Sequence, residues 1–533
     1  MLRPLEVLRR YAPHDGTLAG VLASRAVRDP ERTLLLYRGR ETSYAEFARR
    51  VDAAARALAA RGIGHGARFA VMASNSADFV VLLFALARLG AILVPVNPEF
   101  GVEEAGYILR HAGVAAVATQ AAALEVAREA TRTLSPAPWF LLLEGESGDV
   151  PHFDALIAQA PTTTLPPPPA SDATCLTLYT SGTTGFPKGV MHSQRNFVLA
   201  GEGFVARMHL QPDERLMCVL PMFHINALFY SIAGTLAAGA SLVLLPRFSA
   251  SQFWKAAADA GATQVNIIAA IGNILARRPR SEFDPRHRLR VVYGAPFTPD
   301  LERSFREEFN VPVLIEGYGM TEIPGACNNP FDGERRANSM GKAAQHPDPA
   351  LKFAELRVVD DEGRDLPDGA EGELWARTPI LMQGYYKDPD QTAAAMHDGW
   401  FATGDLVRRD SDGYYYFVAR KKDIIRKRGE NISGAEIDRV VSDHPAVVQC
   451  AAIPVPDALG EDEILIAVIR KPGAALSAGE IAEWCRQRLA PIKVPRYVAF
   501  VDSLPQTATH RVAKFKLRGD QALRKGAIDL ARG

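Results

Sequence analysis

Hydrophobic and polar positions repeat with two different periods up to about Leu351. A helical period runs through segments such as "YAEFARRVDAAARALAARG", where apolar residues recur every three or four positions. Short runs rich in β-branched residues lie between the helical segments; they are "RFAVMAS", "AILVPV", "SLVLLP", "VNIIAA", "LRVVYGA" and "VPVLIEGYG". This rhythm is typical of βαβ units, so it predicts parallel sheet covered by helices.

Three further patterns predict the organisation of the chain. The apolar stretch "FVVLLFALARLGAILVPV" contains Arg88 and Gly90, so it predicts a buried helix, a turn and a buried strand rather than a membrane span. A segment rich in proline and hydroxyl residues, 161–174, predicts an extended surface connection. From Ala354 onwards, strand pairs with polar turns predict antiparallel sheet with hairpins at 361–363 and 412–413.

A charged run, "RKKDIIRKRGENISGAEID", precedes a last segment of mixed helical and strand pattern. The predicted domain boundary therefore lies in this run, with an N-terminal domain at 1–421 and a C-terminal domain at 422–533.

Composition narrows the function classes. Lys plus Arg and Asp plus Glu number 61 each, so no global charge favours nucleic acid or an anionic membrane as a partner. The five cysteines have no CxxC spacing, which favours a reducing compartment and buried thiols over structural zinc. The N-terminal segment has charges every few residues and no apolar run, so we expect a cytoplasmic protein.

The stretch "TLYTSGTTGFPKGVMHS", 177–193, carries the first chemical signal. A strand at 175–180 leads into a loop with three glycines, and Lys188 follows as a point charge suited to phosphate. Pro187 occupies the place of the second glycine of a Walker A loop, so phosphoryl transfer of that type is disfavoured. The pattern predicts a polyphosphate site, with an ordinary surface turn as the alternative. The loop residues expected to contact the anion are Thr180, Ser181, Gly182, Thr183, Thr184 and Gly185.

Three later segments agree with a nucleotide site: "EGYGMTE" at 316–322, "FATGDL" at 401–406, and Arg420 at the end of "YYYFVAR". In this order, with "YTSGTTGFPKG", they resemble the adenylate-forming superfamily of acyl-CoA synthetases, luciferases and peptide-synthetase adenylation domains. The resemblance runs from about Thr42 to Arg518. It implies a large N-terminal domain of two βα-layered subdomains plus a small β-barrel-like subdomain, followed by a small mobile α+β C-terminal domain.

The resemblance also implies a reaction and its substrates. A carboxylate attacks the α-phosphate of ATP, pyrophosphate leaves, and a second nucleophile, commonly the thiol of coenzyme A, attacks the acyl-adenylate. The loop ending at Lys188 would close over the β- and γ-phosphates. Thr321 would donate to the α-phosphate, and Glu322 would hold Mg²⁺, with a solvated loop glutamate as the alternative.

The nucleotide and acid contacts follow from the same resemblance. Tyr318 would stack on adenine unless it is plain core packing, and Asp405 would accept from the ribose hydroxyls with support from Arg420 unless the two form a surface ion pair. His224 would gate the acyl pocket unless it is a structural histidine. The other residues assigned to the base and acyl sites are Gly294, Ala295, Pro296, Glu316, Gly317 and Gly319. The candidates for the acyl pocket are Ala227, Ala270, Gly272, Tyr293, Gly317 and Ile323.

Lys422 matches the hinge about which the family's C-terminal domain rotates. Gly429 and Glu430 would line the pantetheine tunnel. The basic residues near the phosphates of coenzyme A would be Arg426, Lys427 or Arg428, with a solvated face as the alternative.

The chain departs from the family near its end. The family's adenylating lysine lies in a segment like "LPxTxTGK", whereas this chain has "LPQTATHRVAKFKLR", which places Arg511 at the lysine. Arginine keeps the charge but is a broader, planar donor. Arg511 is the favoured replacement, and Lys514 or Lys516 and an impaired enzyme are the alternatives.

The predicted function is an ATP-dependent acid:CoA ligase for a small or medium apolar or aryl carboxylate. Its local sequence is nearest the branch containing crotonobetaine/carnitine-CoA ligases. The alternatives are an adenylation enzyme that serves a carrier protein or an amine, and a nucleotide-binding pseudoenzyme. The expected partners are the acid, ATP and coenzyme A, without nucleic acid or membrane insertion, and a homodimer is one expected assembly.

Overall fold

The computed structural model describes residues 1–180, 187–427, 430–456, 462–506 and 512–531. Two compact units divide these residues. The first comprises 1–180, 187–356 and 376–401, and the second comprises 357–375 and the described residues from 402 onwards. The predicted boundary between 421 and 422 falls inside the second unit and stays a prediction.

A nine-stranded sheet and a seven-stranded sheet form the framework of the first unit. Most pairings in both sheets are parallel, and helices follow the strands, as the alternating pattern predicts. In spatial order, the strands of the nine-stranded sheet are Lys342–Ala343, Cys327–Asn328, Val313–Tyr318, Val291–Gly294, Gln264–Asn266, Arg215–Cys218, Ser241–Leu244, Thr33–Tyr37 and Arg40–Ser43. Those of the seven-stranded sheet are Gly384–Tyr385, Lys188–Ser193, Thr174–Thr180, Ile92–Val96, Arg68–Met72, Ala116–Gln120 and Trp139–Glu144.

Several helices of the first unit begin at residues whose side chains cap the helix N-terminus. Ser43 caps the helix Tyr44–Ala59 by accepting from the backbone N–H of Glu46, and a capping box at Ser193 begins the helix Gln194–Met208. The remaining α-helices are Pro4–Arg9, Leu18–Arg28, Ala77–Arg88, Val102–Ala112, Leu124–Thr131, Phe153–Ala158, Ala233–Ala238, Phe253–Asp259, Ala269–Ala276, Pro299–Arg303 and Pro389–Ala394. This unit also contains two π-helices, Asn226–Ile232 and Ser304–Glu308, and the 3₁₀-helices Ala121–Ala123, Ala250–Gln252 and Arg280–Glu282.

The long apolar stretch folds as predicted. The helix Ala77–Arg88 is buried, Gly90 turns the chain with φ +68°, and the strand Ile92–Val96 follows. No described helix is long and apolar enough to cross a membrane. The segment 161–170 has no regular secondary structure, in agreement with the predicted connection. One prediction is corrected: in "VNIIAA" the strand ends at Asn266, because the chain turns there into the helix Ala269–Ala276.

The second unit contains smaller sheets. It holds most of a five-stranded sheet, in which Trp400–Arg409 pairs antiparallel with Tyr415–Arg420, confirming the hairpin at 412–413. At the other expected hairpin, 361–363, a single antiparallel bridge joins Val359 to Asp365. The other strands of this sheet are Glu355–Val359, Glu371–Arg377 and Met396–His397.

The end of the chain forms the predicted α plus β segment around its own hydrophobic core. A two-stranded ribbon pairs Ile424–Lys427 with Glu430–Ser433. A four-stranded sheet follows, with strands Val447–Pro456, Asp462–Arg470, Tyr497–Phe500 and Ile528–Asp529. The helices are Gly434–Ser442, Ala478–Arg486, Lys514–Gly519 and Gln521–Gly526.

All five cysteines are buried free thiols, as predicted. Burial raises the pKa of each thiol, to about 12 for Cys218 and Cys450 and to about 11 for Cys485. The thiols are therefore packing groups at neutral pH and not nucleophiles.

Candidate active site

The two ends of the glycine-rich stretch lie on paired strands. Thr174–Thr180 and Lys188–Ser193 run antiparallel, with Thr180 opposite Lys188. Lys188 Nζ lies 4.8 Å from the centre of the Tyr385 ring. The sheet therefore presents one hydroxyl and one ammonium group together, as a polyphosphate site requires.

Glu322 is held beside Lys188 through the same tyrosine. The Tyr385 hydroxyl donates a hydrogen bond of 2.8 Å to Glu322 Oε1, and the backbone N–H of Met382 donates to the Glu322 carbonyl at 2.9 Å. Burial, and then the adjacent Glu322 carboxylate, raise the pKa of Tyr385, so its hydroxyl stays a donor. Tyr385 thus joins the predicted anion-binding lysine to the predicted metal-binding carboxylate, and no motif in the sequence pointed to it.

Thr321 is fixed by a buried histidine. His192 Nε2 donates to the Thr321 carbonyl over 2.7 Å, and the ring packs on Phe229 with centres 4.7 Å apart. Burial lowers the pKa of His192 to about 4, so the imidazole is neutral at pH 7. His192 lies in the same quoted stretch as Lys188, and its place in a buried strand was the signal for a positioning role.

The predicted nucleotide residues lie at the ends of two neighbouring parallel strands. Gly294 is in register with Glu316, and Gly317 and Tyr318 complete the second strand. Ligands of open α/β sheets bind at this carboxyl edge. A Cβ on Gly317 would lie 2.6 Å from the Tyr293 hydroxyl oxygen, so close packing excludes any side chain there.

The remaining residues of this group differ in exposure. Gly294 is buried, Ala295 is half-buried, and Pro296 and Gly319 are exposed. Tyr318 is half-buried, and its hydroxyl contacts Met320 Sδ at 3.9 Å. The structure brings these residues to one edge of the sheet, and their contacts with a nucleotide stay predictions.

Glu316 points into the protein. Its carboxyl group is 6% exposed, and Oε2 has no hydrogen-bond partner among the described residues. Burial raises the pKa of Glu316 to about 8, against the opposing effect of the Phe297 backbone N–H. The group is therefore mostly protonated at neutral pH, a state that the motif did not reveal.

His224 lies two residues before a π-helix. Its ring lies edge-on to Phe223 at 4.6 Å, and the π-helix Asn226–Ile232 follows at once. Such helices are rare and often occur at functional sites. Of the predicted acyl-pocket residues, five are buried and Ala270 is exposed; the buried ones are Ala227, Gly272, Tyr293, Gly317 and Ile323. The gating role of His224 stays a prediction.

Asp405 and Arg420 face each other in the second unit. They are directly paired across antiparallel strands, and Arg420 Nε lies 3.4 Å from Asp405 Oδ1. Asp405 is 3% exposed, and the Thr403 hydroxyl accepts from its backbone N–H. The two residues therefore form the hairpin ion pair named as the alternative, with the carboxylate buried and the arginine 39% exposed, and a contact of Asp405 with ribose stays a prediction.

The C-terminal basic residues separate into distinct classes. Lys427 is buried and pairs with Glu463 at 2.5 Å, which leaves it no part in a solvated basic face. Lys514 pairs at 2.5 Å with Asp438, whereas Lys516 is exposed. Arg426 is also exposed. The ion pair occupies the ammonium group of Lys514, which argues against Lys514 as the adenylating cation.

Several predicted site residues cannot be placed. Ser181, Gly182, Thr183, Thr184, Gly185, Arg428, Gly429 and Arg511, and the side chains of Lys422 and Glu430, lie outside the described residues. Among the described residues, no group of three or more His, Cys, Asp or Glu side chains could hold a metal ion by itself. A single carboxylate such as Glu322 is what a mostly hydrated Mg²⁺ on substrate phosphates requires.

Comparison with known proteins shows the family to which the chain belongs. The AMP-binding enzyme family matches residues 22–386, and the AMP-binding enzyme C-terminal domain matches 436–511. A sulfoacetate–CoA ligase from Cupriavidus necator is 35% identical, covering 94% of this chain and 97% of that protein. A crotonobetaine/carnitine–CoA ligase from Salmonella typhi is 31% identical over 90% of this chain and 93% of its own.

A solved structure also has a similar fold. An anthranilate CoA ligase in complex with anthranoyl-AMP superposes with a TM-score of 0.85 at 27% identity, covering 96% of this chain and 97% of that one. The chain belongs to the AMP-binding enzymes of the adenylate-forming superfamily. Within that superfamily its relatives are acid:CoA ligases, as the motifs predicted.

Proposed function

We propose that this protein activates a small carboxylic acid as its acyl-adenylate, with ATP, and transfers the acyl group to coenzyme A. The observation that carries the proposal is the contact of Lys188, Tyr385 and Glu322 at the glycine-rich stretch. A cation and a carboxylate thus contact the same tyrosine. Such a site works by positioning and by neutralising charge on phosphate oxygens.

Each residue has a proposed task. Lys188 and the loop before it hold the β- and γ-phosphates, Thr321 donates to the α-phosphate, and Arg511 stands in for the family's lysine. The neutral His192 supports this arrangement because its hydrogen bond fixes the Thr321 carbonyl. Tyr318 is proposed to stack on adenine.

Glu322 is proposed to hold Mg²⁺. Its carboxylate is nearly buried and is oriented by Tyr385, and a carboxylate oxygen is the ligand type that Mg²⁺ prefers. The bound ion would neutralise charge on the phosphates. The protein's own contribution is to hold the Glu322 side chain in a fixed orientation through the Tyr385 hydroxyl.

Asp405 is proposed to accept from the ribose hydroxyls, with Arg420 beside it. A buried carboxylate paired across a strand is fixed in direction, as recognition of two vicinal hydroxyls requires. We further propose a hinge near Lys422 between domains 1–421 and 422–533, and cytoplasmic location. A homodimer is proposed as one form of assembly.

The test is pyrophosphate release with ATP and Mg²⁺ across short, branched, dicarboxylic and aryl acids, each with and without coenzyme A. Release accompanied by thioester formation for one class of acid is the expected result. Formation of the adenylate without thioester would mean that the acyl acceptor is a carrier protein or an amine rather than coenzyme A. Nucleotide binding without release for any acid would mark a pseudoenzyme and overturn it.

A pair of lysine variants adds a control. Lys188→Met removes the phosphate cation and is expected to lower pyrophosphate release about 100-fold. Lys255→Met removes a 61% exposed lysine that pairs with Asp259 on the surface, so release should not change. Equal activity of the two variants would remove Lys188 from the site.

A further inference from the structure

Arg207 is a buried cation without a counter-ion. It lies near the end of the helix Gln194–Met208 and is 3% exposed. No carboxylate of the described residues lies within ion-pair distance of its guanidinium, and Nε has no hydrogen-bond partner there. It donates two long hydrogen bonds, 3.4 Å to the Tyr293 hydroxyl and 3.5 Å to the Gly325 carbonyl, and it also interacts with the Tyr230 hydroxyl. Arginine is almost never fully buried unless it is paired.

A second buried arginine shows how this fold satisfies such a group structurally. Arg25 is 2% exposed, and it donates to the carbonyls of Leu236 and Ala237 at 3.0 and 2.9 Å. These carbonyls belong to the end of the helix Ala233–Ala238, which carries partial negative charge. Its guanidinium also covers the Tyr11 ring at 4.1 Å. Two short hydrogen bonds thus hold Arg25, although its Nη1 has no partner among the described residues, whereas both hydrogen bonds of Arg207 to its own acceptors are long.

The surroundings of Arg207 strengthen any charge interaction made there. Its guanidinium lies 5.0 Å from the ring centre of Tyr230, 5.2 Å from that of Tyr293 and 5.8 Å from that of Phe204. These rings exclude water and so lower the local dielectric. Cation–π contacts at such distances offset only part of the cost of removing a guanidinium from water.

Arg207 also lies directly behind the motif loop. A Cβ on Gly325 would fall 2.0 Å from an Arg207 nitrogen, and one on Gly317 would fall 2.6 Å from the Tyr293 hydroxyl that Arg207 contacts. Gly317 precedes Tyr318, and both Gly317 and Tyr293 belong to the predicted acyl pocket. Arg207 therefore packs directly against residues of the predicted acyl pocket.

We propose that Arg207 binds a second anionic group of the acid substrate. This inference rests on the proposed function and narrows it: the preferred acid is small, with a carboxylate or sulfonate at the end away from the reacting carboxylate. A planar guanidinium with several N–H groups suits either anion, because it can donate two parallel hydrogen bonds.

Matched acids test the proposal directly. Sulfoacetate is compared with 3,3-dimethylbutanoate, and succinate with 4-methylpentanoate, because each pair has the same branching but differs by one charge. Acyl-adenylate is trapped with hydroxylamine in the absence of coenzyme A, and thioester is measured in its presence. The two sources of the second charge, sulfonate and carboxylate, are separated by the two pairs.

Variants connect the preference to this residue. Arg207→Met is expected to lower the ratio of kcat/KM for the doubly charged acid over its neutral-ended partner about 100-fold, since one member of a buried charge pair is lost. Arg207→Lys should give an intermediate ratio, because it keeps the charge without the planar fork. Arg25→Met is the control: it is expected to lower thermal stability without changing the ratio.

The outcomes separate this inference from the proposed function. The inference is supported if wild type prefers a doubly charged acid and Arg207→Met loses that preference. If hydroxamate then forms without thioester, only the transfer to coenzyme A is refuted. Preference for the neutral-ended acids, unchanged in Arg207→Met, overturns the inference while thioester formation upholds the ligase. Absence of both products with every acid would overturn both.

Discussion

Replacing Glu316 with glutamine should stabilise the protein, and increasingly so as the pH rises. Glu316 is a 6% exposed carboxyl group whose Oε2 has no hydrogen-bond partner among the described residues. Burial raises its pKa from an ordinary 4.5 to about 8. Glutamine has nearly the same shape as the protonated acid and cannot ionise, so it removes the titration without removing the side chain.

The magnitude follows from proton linkage. The folded state holds the proton more tightly than the unfolded state, so the contribution of Glu316 is fully present below pH 4.5 and is lost as the pH rises towards 8. Each pH unit in this window costs about 1.4 kcal/mol. Relative to a neutral isostere, wild type is therefore less stable by roughly 3 kcal/mol at pH 7 and by roughly 5 kcal/mol at pH 8 and above.

The assay is urea unfolding of wild type and Glu316→Gln at pH 6, 7, 8 and 9. Glu202→Gln is a matched control of opposite sign. Burial alone would raise the pKa of Glu202, but hydrogen bonds from His14 and His346 outweigh it and lower the pKa to about 2. Glu202 thus stabilises the fold above pH 4.5, and its loss is expected to destabilise by about 3 kcal/mol.

Two results would refute the reasoning about Glu316. A stability difference that is the same from pH 6 to pH 9 would mean that the carboxyl group does not titrate in this window. A less stable Glu316→Gln at every pH would mean that the ionised carboxylate has a favourable partner. A gain that grows with pH and levels off near pH 8 confirms the protonated state.

Two further predictions concern catalysis. Tyr385→Phe removes the hydrogen bond to Glu322, which is worth about 1.5–3 kcal/mol at a charged acceptor. This variant should release pyrophosphate at least tenfold more slowly than wild type and should need a higher Mg²⁺ concentration. An unchanged Mg²⁺ dependence would refute the link between Tyr385 and the metal site. Arg511→Ala should lower adenylation by 10²- to 10³-fold, whereas Lys514→Ala should lower the melting temperature through loss of the pair with Asp438 and leave adenylation within a few-fold of wild type. If Lys514→Ala lowered adenylation more than Arg511→Ala does, the adenylating role would belong to Lys514.

The fold was readable from sequence where the signals are local. Alternation of helical and β-branched segments predicted parallel sheet covered by helices, although not its division into two large sheets. Arg88 with Gly90 divided one apolar stretch into helix and strand. The strand in "VNIIAA" was predicted too long, because isoleucine and alanine suit both states and tertiary packing decides between them. Such ambiguity is expected for short apolar runs.

The candidate site was predictable as loops but not as contacts. Glycines, hydroxyls and acidic residues in fixed order located the segments around Lys188, Glu322 and Asp405. Tyr385 comes from a strand far along the chain and carries no motif, so its bond to Glu322 depends on long-range packing that no local pattern encodes. The same applies to Lys514, whose pairing with Asp438 distinguishes it from the exposed Lys516.

The hydrogen-bond partners of buried charged groups help to distinguish structural residues from ligand-binding ones, which sequence motifs alone do not do. In the first unit, two short hydrogen bonds to helix carbonyls hold the buried Arg25, and two histidines hold the buried Glu202. Arg207 and Glu316 are buried to the same degree and are only partly satisfied, so the folded protein is less stable for keeping them. For Glu316 the protein relieves the cost by keeping the proton. An arginine has no such recourse because its guanidinium does not deprotonate in proteins. Since the hydrogen bonds of Arg207 to Tyr293 and Gly325 are long, we look for its counter-ion in the substrate. That difference is why the ligand is sought at Arg207 and not at Glu316.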